Sequence, residues 1–135
     1  MKIIYLEDCV IYTLLIKSWM EKDNNSSISI TDNEEEFFNL FISNSYDVIL
    51  LDYIVKDYFC SSIIRKIKSL DLLIPIIIIT GEQFDKTIAE CFKAGSTDFI
   101  SKHKLTKNTF TNILNSNYER SNRLKQLEKI INDGH

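Results

Sequence analysis

The feature that most restricts the fold of this chain is a regular alternation of short apolar runs with amphipathic stretches. The apolar runs have the length of single β-strands and lie at Lys2 to Leu6, Ile28 to Thr31, Tyr46 to Leu51, Pro75 to Thr80 and Asp98 to Ser101. Each run is followed by a stretch with apolar residues at helical spacing. The order βαβαβαβαβα predicts a doubly wound α/β domain built on a five-stranded parallel sheet.

The amphipathic stretches indicate where the helices should lie. Their apolar residues recur three or four positions apart and are Ile11, Leu14, Leu15 and Trp19; Phe37, Leu40 and Phe41; Ile63, Ile64 and Ile67; Ile88, Cys91 and Phe92; and Phe110, Ile113 and Leu114. We expect the last group to pack on the sheet. Asp32 followed by Glu35 resembles a capping box, and Gly95 suits the C-terminal cap of a helix.

Size and charge are those of an ordinary globular domain. The chain has 135 residues, of which 44% are hydrophobic and 26% are charged, so it can bury one core without disulfides or structural metal. The formal net charge of −3 provides no basic field, so we expect no direct binding of nucleic acid or of a membrane surface. The longest apolar run is too short to span a bilayer.

The cysteines favour a reducing compartment. Cys9, Cys60 and Cys91 are odd in number, widely spaced and without metal-ligand spacing to either histidine, so we expect reduced thiols in a cytoplasmic protein. The acidic pair Glu7-Asp8 also interrupts the first apolar run, where the core of a secretory signal would continue.

Polar residues capable of chemistry stand where the predicted strands end. Glu7 and Asp8 follow the first strand, Asp52 the third, Thr80 the fourth and Lys102 the fifth. In an open parallel sheet, ligands bind beyond the carboxyl ends of the strands, near the point where the strand order reverses. For the order 2-1-3-4-5 that point lies between strands one and three, which would bring Glu7, Asp8 and Asp52 together.

This combination favours a site for a metal ion and a phosphoryl group. Neighbouring carboxylates repel one another unless a cation compensates them or some are protonated, and a few carboxylates with water suit Mg²⁺. Lys102 would add a fixed positive charge and Thr80 a hydroxyl, which together can hold phosphoryl oxygens. Each residue alone has an ordinary explanation, such as a helix cap for Asp52 or solvated surface for Lys102. Their joint placement at separate strand ends supports the functional interpretation.

At these positions the sequence resembles the receiver domains of two-component response regulators, over residues 1 to about 118. The matching motifs are Glu7-Asp8, Leu50-Leu51-Asp52, Ile79-Thr80-Gly81 and the segment from Ala94 to Lys102. The resemblance implies a flavodoxin-like fold with strand order 2-1-3-4-5. Residues 119–135 would then be an extension of the last helix, a linker or a dimerisation segment.

The resemblance implies a phosphoacceptor and a metal site. Asp52 would take a phosphoryl group from a histidine kinase or a histidine phosphotransfer protein. Asp8 would bind Mg²⁺ directly, with Glu7 close by and often acting through water. Asp52 and the backbone carbonyl of Ile54 would complete the protein ligands.

The resemblance also implies a switch. After transfer, Thr80 and Lys102 would each bind a phosphoryl oxygen, and Phe99 matches an aromatic position that swings inward on activation. The surface of helix four, strand five and helix five would then change shape. Such a domain is not an enzyme beyond its own phosphorylation from small donors and slow autodephosphorylation.

Two stretches depart from the family pattern. In the loop from Tyr53 to Phe59 and directly after it, the proline and glycine that are common in the family are replaced by Lys56 and Cys60. His103 follows Lys102, where the family usually has a proline after a cis peptide bond. A non-proline cis bond costs about 3–4 kcal/mol, so the sequence allows either a strained cis bond or a loop relaxed to trans. A relaxed loop could move Lys102.

The C-terminal stretch is longer than the last helix of a bare receiver. From Thr106 to Ile131 the helical pattern continues through Leu124 and Leu127, flanked by the charged residues Arg120, Arg123, Lys125, Glu128 and Lys129. The stripe is too short to establish a coiled coil. An amphipathic tail or linker and a helix for a dimer or partner both fit it, whereas the mixed charges do not favour DNA binding.

Three functions are weighed. The first is a phosphorylatable switch that acts through a downstream protein or an output domain elsewhere in a longer regulator or hybrid kinase. The second is a degenerate receiver that binds proteins without phosphorylation, supported by the altered loop. The third, a Mg²⁺-dependent phosphohydrolase, is disfavoured because Asp52-Tyr53-Ile54 lacks the second aspartate of an Asp-x-Asp nucleophile motif.

Ile54 and Glu82 occupy the two positions that flank the line of attack in the family. Because an apolar side chain at Ile54 cannot orient water, we expect slow autodephosphorylation. The variant Ile54→Asn should lose phosphate faster in a time course of intact mass. An unchanged rate would contradict a role for this position.

Overall fold

The predicted alternation of strands and helices is present in the structure, a computed structural model that describes residues 1–53, 60–81 and 85–134. The strands are β1 (Lys2–Leu6), β2 (Ser27–Thr31), β3 (Val48–Asp52), β4 (Ile76–Thr80) and β5 (Asp98–Ser101). The helices are α1 (Val10–Met20), α2 (Glu34–Ser43), α3 (Cys60–Leu70), α4 (Asp85–Ala94) and α5 (Lys107–Asp133), with a short 3₁₀ turn at Lys102–Lys104.

The strands form one parallel sheet in the order β2-β1-β3-β4-β5, as expected. The register pairs Leu6 with Leu51, Asp52 with Ile79 and Thr80 with Ser101, so the carboxyl ends of the central strands meet at one edge. The strand order reverses between β1 and β3, and a crevice is therefore expected beside Asp52.

Helices cover both faces of the sheet, which explains the four consecutive isoleucines of β4. Ile76 and Ile78 pack in one core with α2, α3 and α4, while Ile77 and Ile79 pack in the other with α1 and α5. A strand buried on both faces needs apolar residues at every position. The predicted packing of Phe110, Ile113 and Leu114 of α5 on the sheet is confirmed.

Helix α1 was correctly predicted, but its spacing did not identify the buried face. Ile11 and Leu14 are 74% and 62% exposed, whereas Ile16 and Met20 are buried. Eight of the eleven residues from Val10 to Met20 are apolar or aromatic and they surround the helix, so periodicity alone does not select one face. The sheet and α5 select it instead.

The predicted cap of α2 is shifted by one residue. Asn33, not Asp32, is the N-cap, and its side chain accepts a hydrogen bond of 2.8 Å from the backbone N–H of Glu36, not from Glu35. The extended backbone of Asn33 brings its side chain over the first turn. Gly95 ends α4 with a φ of 126°, as its predicted capping role requires.

The long helix α5 is amphipathic and not membrane-spanning. None of the helices in the described ranges is both long and apolar enough to cross a bilayer.

The buried ring of Phe110 provides a test of the core. It is 1% exposed, and its centroid lies 5.7 Å from that of Trp19. Phe110→Ala should lower the free energy of unfolding by about 3–5 kcal/mol, measured by urea titration, because it removes a ring and leaves a cavity. The control Ile42→Ala, at a position 68% exposed, should change it by less than about 0.5 kcal/mol. Equal effects of the two variants would contradict this core.

Candidate functional site

An acidic cluster occupies the carboxyl edge of the sheet where the strand order reverses. Carboxylate oxygens of Glu7, Asp8 and Asp52 all lie within 4.8 Å of one another. Glu7 and Asp52 are buried and Asp8 is exposed, so the cluster opens to solvent at Asp8. The backbone N–H of Glu7 donates to the carbonyl of Thr31 at 2.9 Å, which fixes Glu7 at the end of β1.

The ammonium group of Lys102 compensates this cluster. Its Nζ lies 2.5 Å from Oε1 of Glu7 and 3.4 Å from Oδ2 of Asp52, and 4.4 Å from the ring centroid of Tyr12. Burial disfavours the charged form of Lys102, but the contacts with Glu7 and Asp52 outweigh burial and raise its pKa. Lys102 therefore provides a permanent positive charge beside Asp52.

The residue after Lys102 does not move it out of the site. The Lys102–His103 bond is trans, and the chain turns through the 3₁₀ segment, where the backbone N–H of His103 donates to Oγ of Ser101 at 3.2 Å. The relaxed alternative is therefore the one adopted. In this relaxed loop Ser101 caps the turn, and Lys102 contacts both Glu7 and Asp52.

Glu7 holds its proton more tightly than an ordinary carboxyl group. Burial, and then the neighbouring Asp52 carboxyl group, raise the pKa of Glu7 to about 8, although Lys102 opposes this shift. Its Oε1 also accepts a hydrogen bond of 3.3 Å from the hydroxyl of Tyr5, whose own pKa is raised by burial.

Sequence reasoning missed Tyr5 and Tyr12. Tyr5 is the only aromatic residue of β1 and lies two positions before Glu7, hence on the same face of the strand. A buried tyrosine needs a hydrogen-bond partner for its hydroxyl. The spacing of two residues between Tyr5 and Glu7 could therefore have predicted their contact. The ring of Tyr12 reaches Lys102 from α1, and nothing in the spacing indicated that contact.

The other oxygen of Glu7 supports a metal site. Oε2 is buried and has no hydrogen-bond partner among the residues that the structure describes. A buried carboxylate oxygen without a partner is costly, and a cation between the three carboxylates would remove that cost. The oxygen donors present therefore fit Mg²⁺.

Thr80 connects this edge of the sheet to a narrow cavity. It is buried at the end of β4 and lines the cavity together with Tyr53, Cys91, Ser96 and Phe99, among others. Phe99 is half-buried, and Oγ of Ser96 is buried without a partner in the described part of the chain. Thr80 and Phe99 thus border the same space.

Two predicted site residues, Ile54 and Glu82, lie outside the described residues. The same holds for Lys56 and for the rest of the Tyr53 to Phe59 loop beyond Tyr53. Their roles stay predictions.

Comparison with known proteins agrees with this geometry. The response regulator receiver domain profile matches residues 3–115. The transcriptional regulatory protein RprY of Bacteroides fragilis is 28% identical over 104 residues, which cover 76% of this chain and 43% of that protein. The regulator BvgA of Bordetella pertussis is 21% identical over 103 residues, 76% of this chain and 49% of that protein. The chain thus spans less than half the length of these curated relatives.

Solved structures share the architecture. A two-component response regulator from Clostridium difficile matches with a TM-score of 0.82 and 25% identity, over 90% of this chain and 98% of that one. Another match is the receiver domain of the sensor histidine kinase PA1611 from Pseudomonas aeruginosa, which has a magnesium ion in its active-site cleft. Its TM-score is 0.77 and its identity 19%, and the match covers 87% of this chain and 97% of that one. With a family profile covering most of its length, this chain belongs to the response regulator receiver domains of two-component systems.

Proposed function

We propose that the chain is a phosphorylation-dependent signalling switch in which Asp52 accepts a phosphoryl group from a histidine kinase or a histidine phosphotransfer protein. The observation that carries this proposal is the ammonium group of Lys102 held against both Glu7 and Asp52. Receiver domains are signalling switches and not classical enzymes. Any catalysis is of the domain's own phosphorylation from small donors and its slow dephosphorylation.

Asp8 and Asp52 would hold Mg²⁺ directly, with Glu7 beside it and the backbone carbonyl of Ile54 as a further ligand. The proximity of the three carboxylates and the unpartnered Oε2 of Glu7 support this assignment. When bound, the ion offsets negative charge on the oxygens of the incoming phosphoryl group.

The side chains of the site fit an in-line transfer. A carboxylate oxygen of Asp52 forms a bond to phosphorus as the bond from phosphorus to the donor's histidine nitrogen breaks. Lys102, 3.4 Å from Asp52, can follow the transferred group and pair with one of its oxygens. The hydroxyl of Thr80, at the end of the adjacent strand, can donate to another.

The signal would leave through α4, β5 and α5. Movement of Thr80 toward the phosphoryl group vacates space in the cavity that Phe99 also borders, and the ring of Phe99 can fill it. The signal would act on a downstream protein or on an output domain elsewhere in a longer chain. The second option is considered because the curated relatives are about twice as long.

A degenerate receiver that binds proteins without phosphorylation is the second candidate. Lys56, Cys60 and His103 favour it, because they replace residues common in the family. The placement of Lys102 counts against it, because the charge needed for transfer stays at Asp52 despite His103.

Phosphorylation itself is tested with small donors. In the presence of Mg²⁺, acetyl phosphate or phosphoramidate should add one phosphoryl group, about 80 Da by intact mass. Asp52→Asn, which keeps the size of the side chain and removes its nucleophile, should gain nothing, and neither should the wild type without metal. No gain from either donor in protein shown by calorimetry to bind Mg²⁺, or equal gain in Asp52→Asn, would contradict the proposal.

The raised pKa of Glu7 predicts a pH dependence of metal binding. Below about pH 8 Glu7 carries a proton that opposes a cation, so Mg²⁺ affinity should rise as the pH rises toward that value and level off above it. Between about pH 6 and pH 8 the rise should approach about tenfold per pH unit by calorimetry, because one proton is released for each ion bound.

The control for this prediction is Glu7→Gln, which has no proton to lose. Its Mg²⁺ affinity should vary much less over the same range. A slope equal to that of the wild type would show that Glu7 is not the titrating group.

A further inference from the structure

Two buried cysteines lie side by side on neighbouring helices. Cys60 is the first residue of α3, and Cys91 lies in α4, which packs against α3. Each is 3% exposed, and both belong to the core between these helices and one face of the sheet. Their thiol groups hydrogen-bond to each other. The transfer of a phosphoryl group to Asp52 uses neither sulfur, so the pair is free for other chemistry.

The third cysteine provides an internal comparison. Cys9 is the N-cap residue of α1 and is more exposed than the other two, and all three are free thiols. If exposure alone decided reactivity, Cys9 would be oxidised first. If adjacency decides it, Cys60 and Cys91 react as a pair, because only a neighbouring thiol can complete a disulfide without unfolding the chain.

The contact makes the two sulfurs chemically unequal. The hydrogen bond from Cys60 lowers the pKa of Cys91, although burial opposes this shift. The same hydrogen bond, followed by burial, raises the pKa of Cys60. The thiolate is the form of cysteine that attacks an oxidant, so Cys91 is the sulfur that reacts first and Cys60 the one that follows.

A narrow cavity leads to Cys91 from near the surface. Its lining includes Cys91, Phe92, Tyr53 and Phe99. Phe92 is 45% exposed, and the other two aromatic residues are half-buried. The cavity is too narrow for a peptide disulfide such as oxidised glutathione. A peroxide as small as hydrogen peroxide is therefore the class of oxidant that suits this pair.

We propose that Cys60 and Cys91 form a dithiol site that hydrogen peroxide oxidises to a disulfide between α3 and α4. The thiolate of Cys91 attacks one peroxide oxygen, so that an S–O bond forms, the O–O bond breaks and the departing hydroxide takes up a proton to become water. The sulfur of Cys60 then displaces the remaining oxygen, which leaves with the thiol proton of Cys60 as a second water. The two sulfurs together lose the two electrons that the peroxide gains.

The disulfide would restrain α4 beside the residues of the proposed switch. Cys91 lines the same cavity as Thr80 and Phe99. A covalent link to α3 would hold α4 at one wall of that cavity. Formation of the link does not depend on phosphorylation of Asp52, whereas its effect on signal output rests on the proposed function.

Thiol counting tests the pair. Unphosphorylated protein is treated with hydrogen peroxide, unfolded in the presence of an alkylating agent and weighed intact. The untreated chain should carry three alkyl groups and the treated chain one, on Cys9. Peptide mapping should find Cys60 linked to Cys91, and a reducing agent should restore all three thiols. Loss of the Cys9 thiol while Cys60 and Cys91 stay alkylated, or disulfide-linked dimers in place of the internal link, would overturn the proposal.

Matched variants test whether the thiols meet in the folded protein. Cys9→Ser should form the internal link as fast as the wild type. Cys60→Ser and Cys91→Ser, checked for folding by circular dichroism, should not link the remaining core cysteine to Cys9. Such a link at the wild-type rate would show that the thiols meet through unfolding, and it would overturn the proposal.

Hydrogen exchange tests the restraint on α4. Amide hydrogens of α4 should exchange more slowly in the oxidised wild type than in the reduced protein, because the link opposes separation of α4 from α3. Exchange in α1, which the link does not join, should be unchanged and serves as the control. Equal exchange of α4 in both forms would contradict the restraint without affecting the test of phosphorylation.

Discussion

The site depends on one electrostatic arrangement, a lysine ammonium group placed against two buried carboxyl groups. Glu7 and Asp52 come from neighbouring strands of the sheet and would repel each other as two bare charges. Lys102 offsets them from the end of β5, but burial and the neighbouring Asp52 still raise the pKa of Glu7. The metal-free site is therefore prepared to exchange a proton for a divalent cation.

The order of strands and helices was predictable from the sequence, because each strand is a short apolar run and each helix has a repeating spacing. The juxtaposition of Glu7, Asp8 and Asp52 was predictable for a related reason. Parallel strands align their carboxyl ends, so residues distant in sequence but equivalent in position must meet. Both predictions rest on patterns that backbone geometry alone imposes.

What could not be predicted depends on contacts between elements. The buried face of α1 is selected by the sheet and α5, because apolar residues lie on more than one side of that helix. Lys102 begins a 3₁₀ turn that is capped by the side chain of Ser101. The ring of Tyr12 reaches Lys102 from α1, a contact that the spacing of residues does not indicate. Each of these is a choice among several local arrangements that the sequence allows equally.

Helix α5 joins two regions that are otherwise separate. Its 27 residues, Lys107–Asp133, run without a break over about 40 Å and include Phe110 in the core and the exposed Ile131. An unbroken helix of this length is stiff, and its N-terminal half is fixed by packing on β3 and β5. A tilt of about 4° at the sheet would therefore displace the far end by about 3 Å, so a small repacking in the core would become a larger movement there.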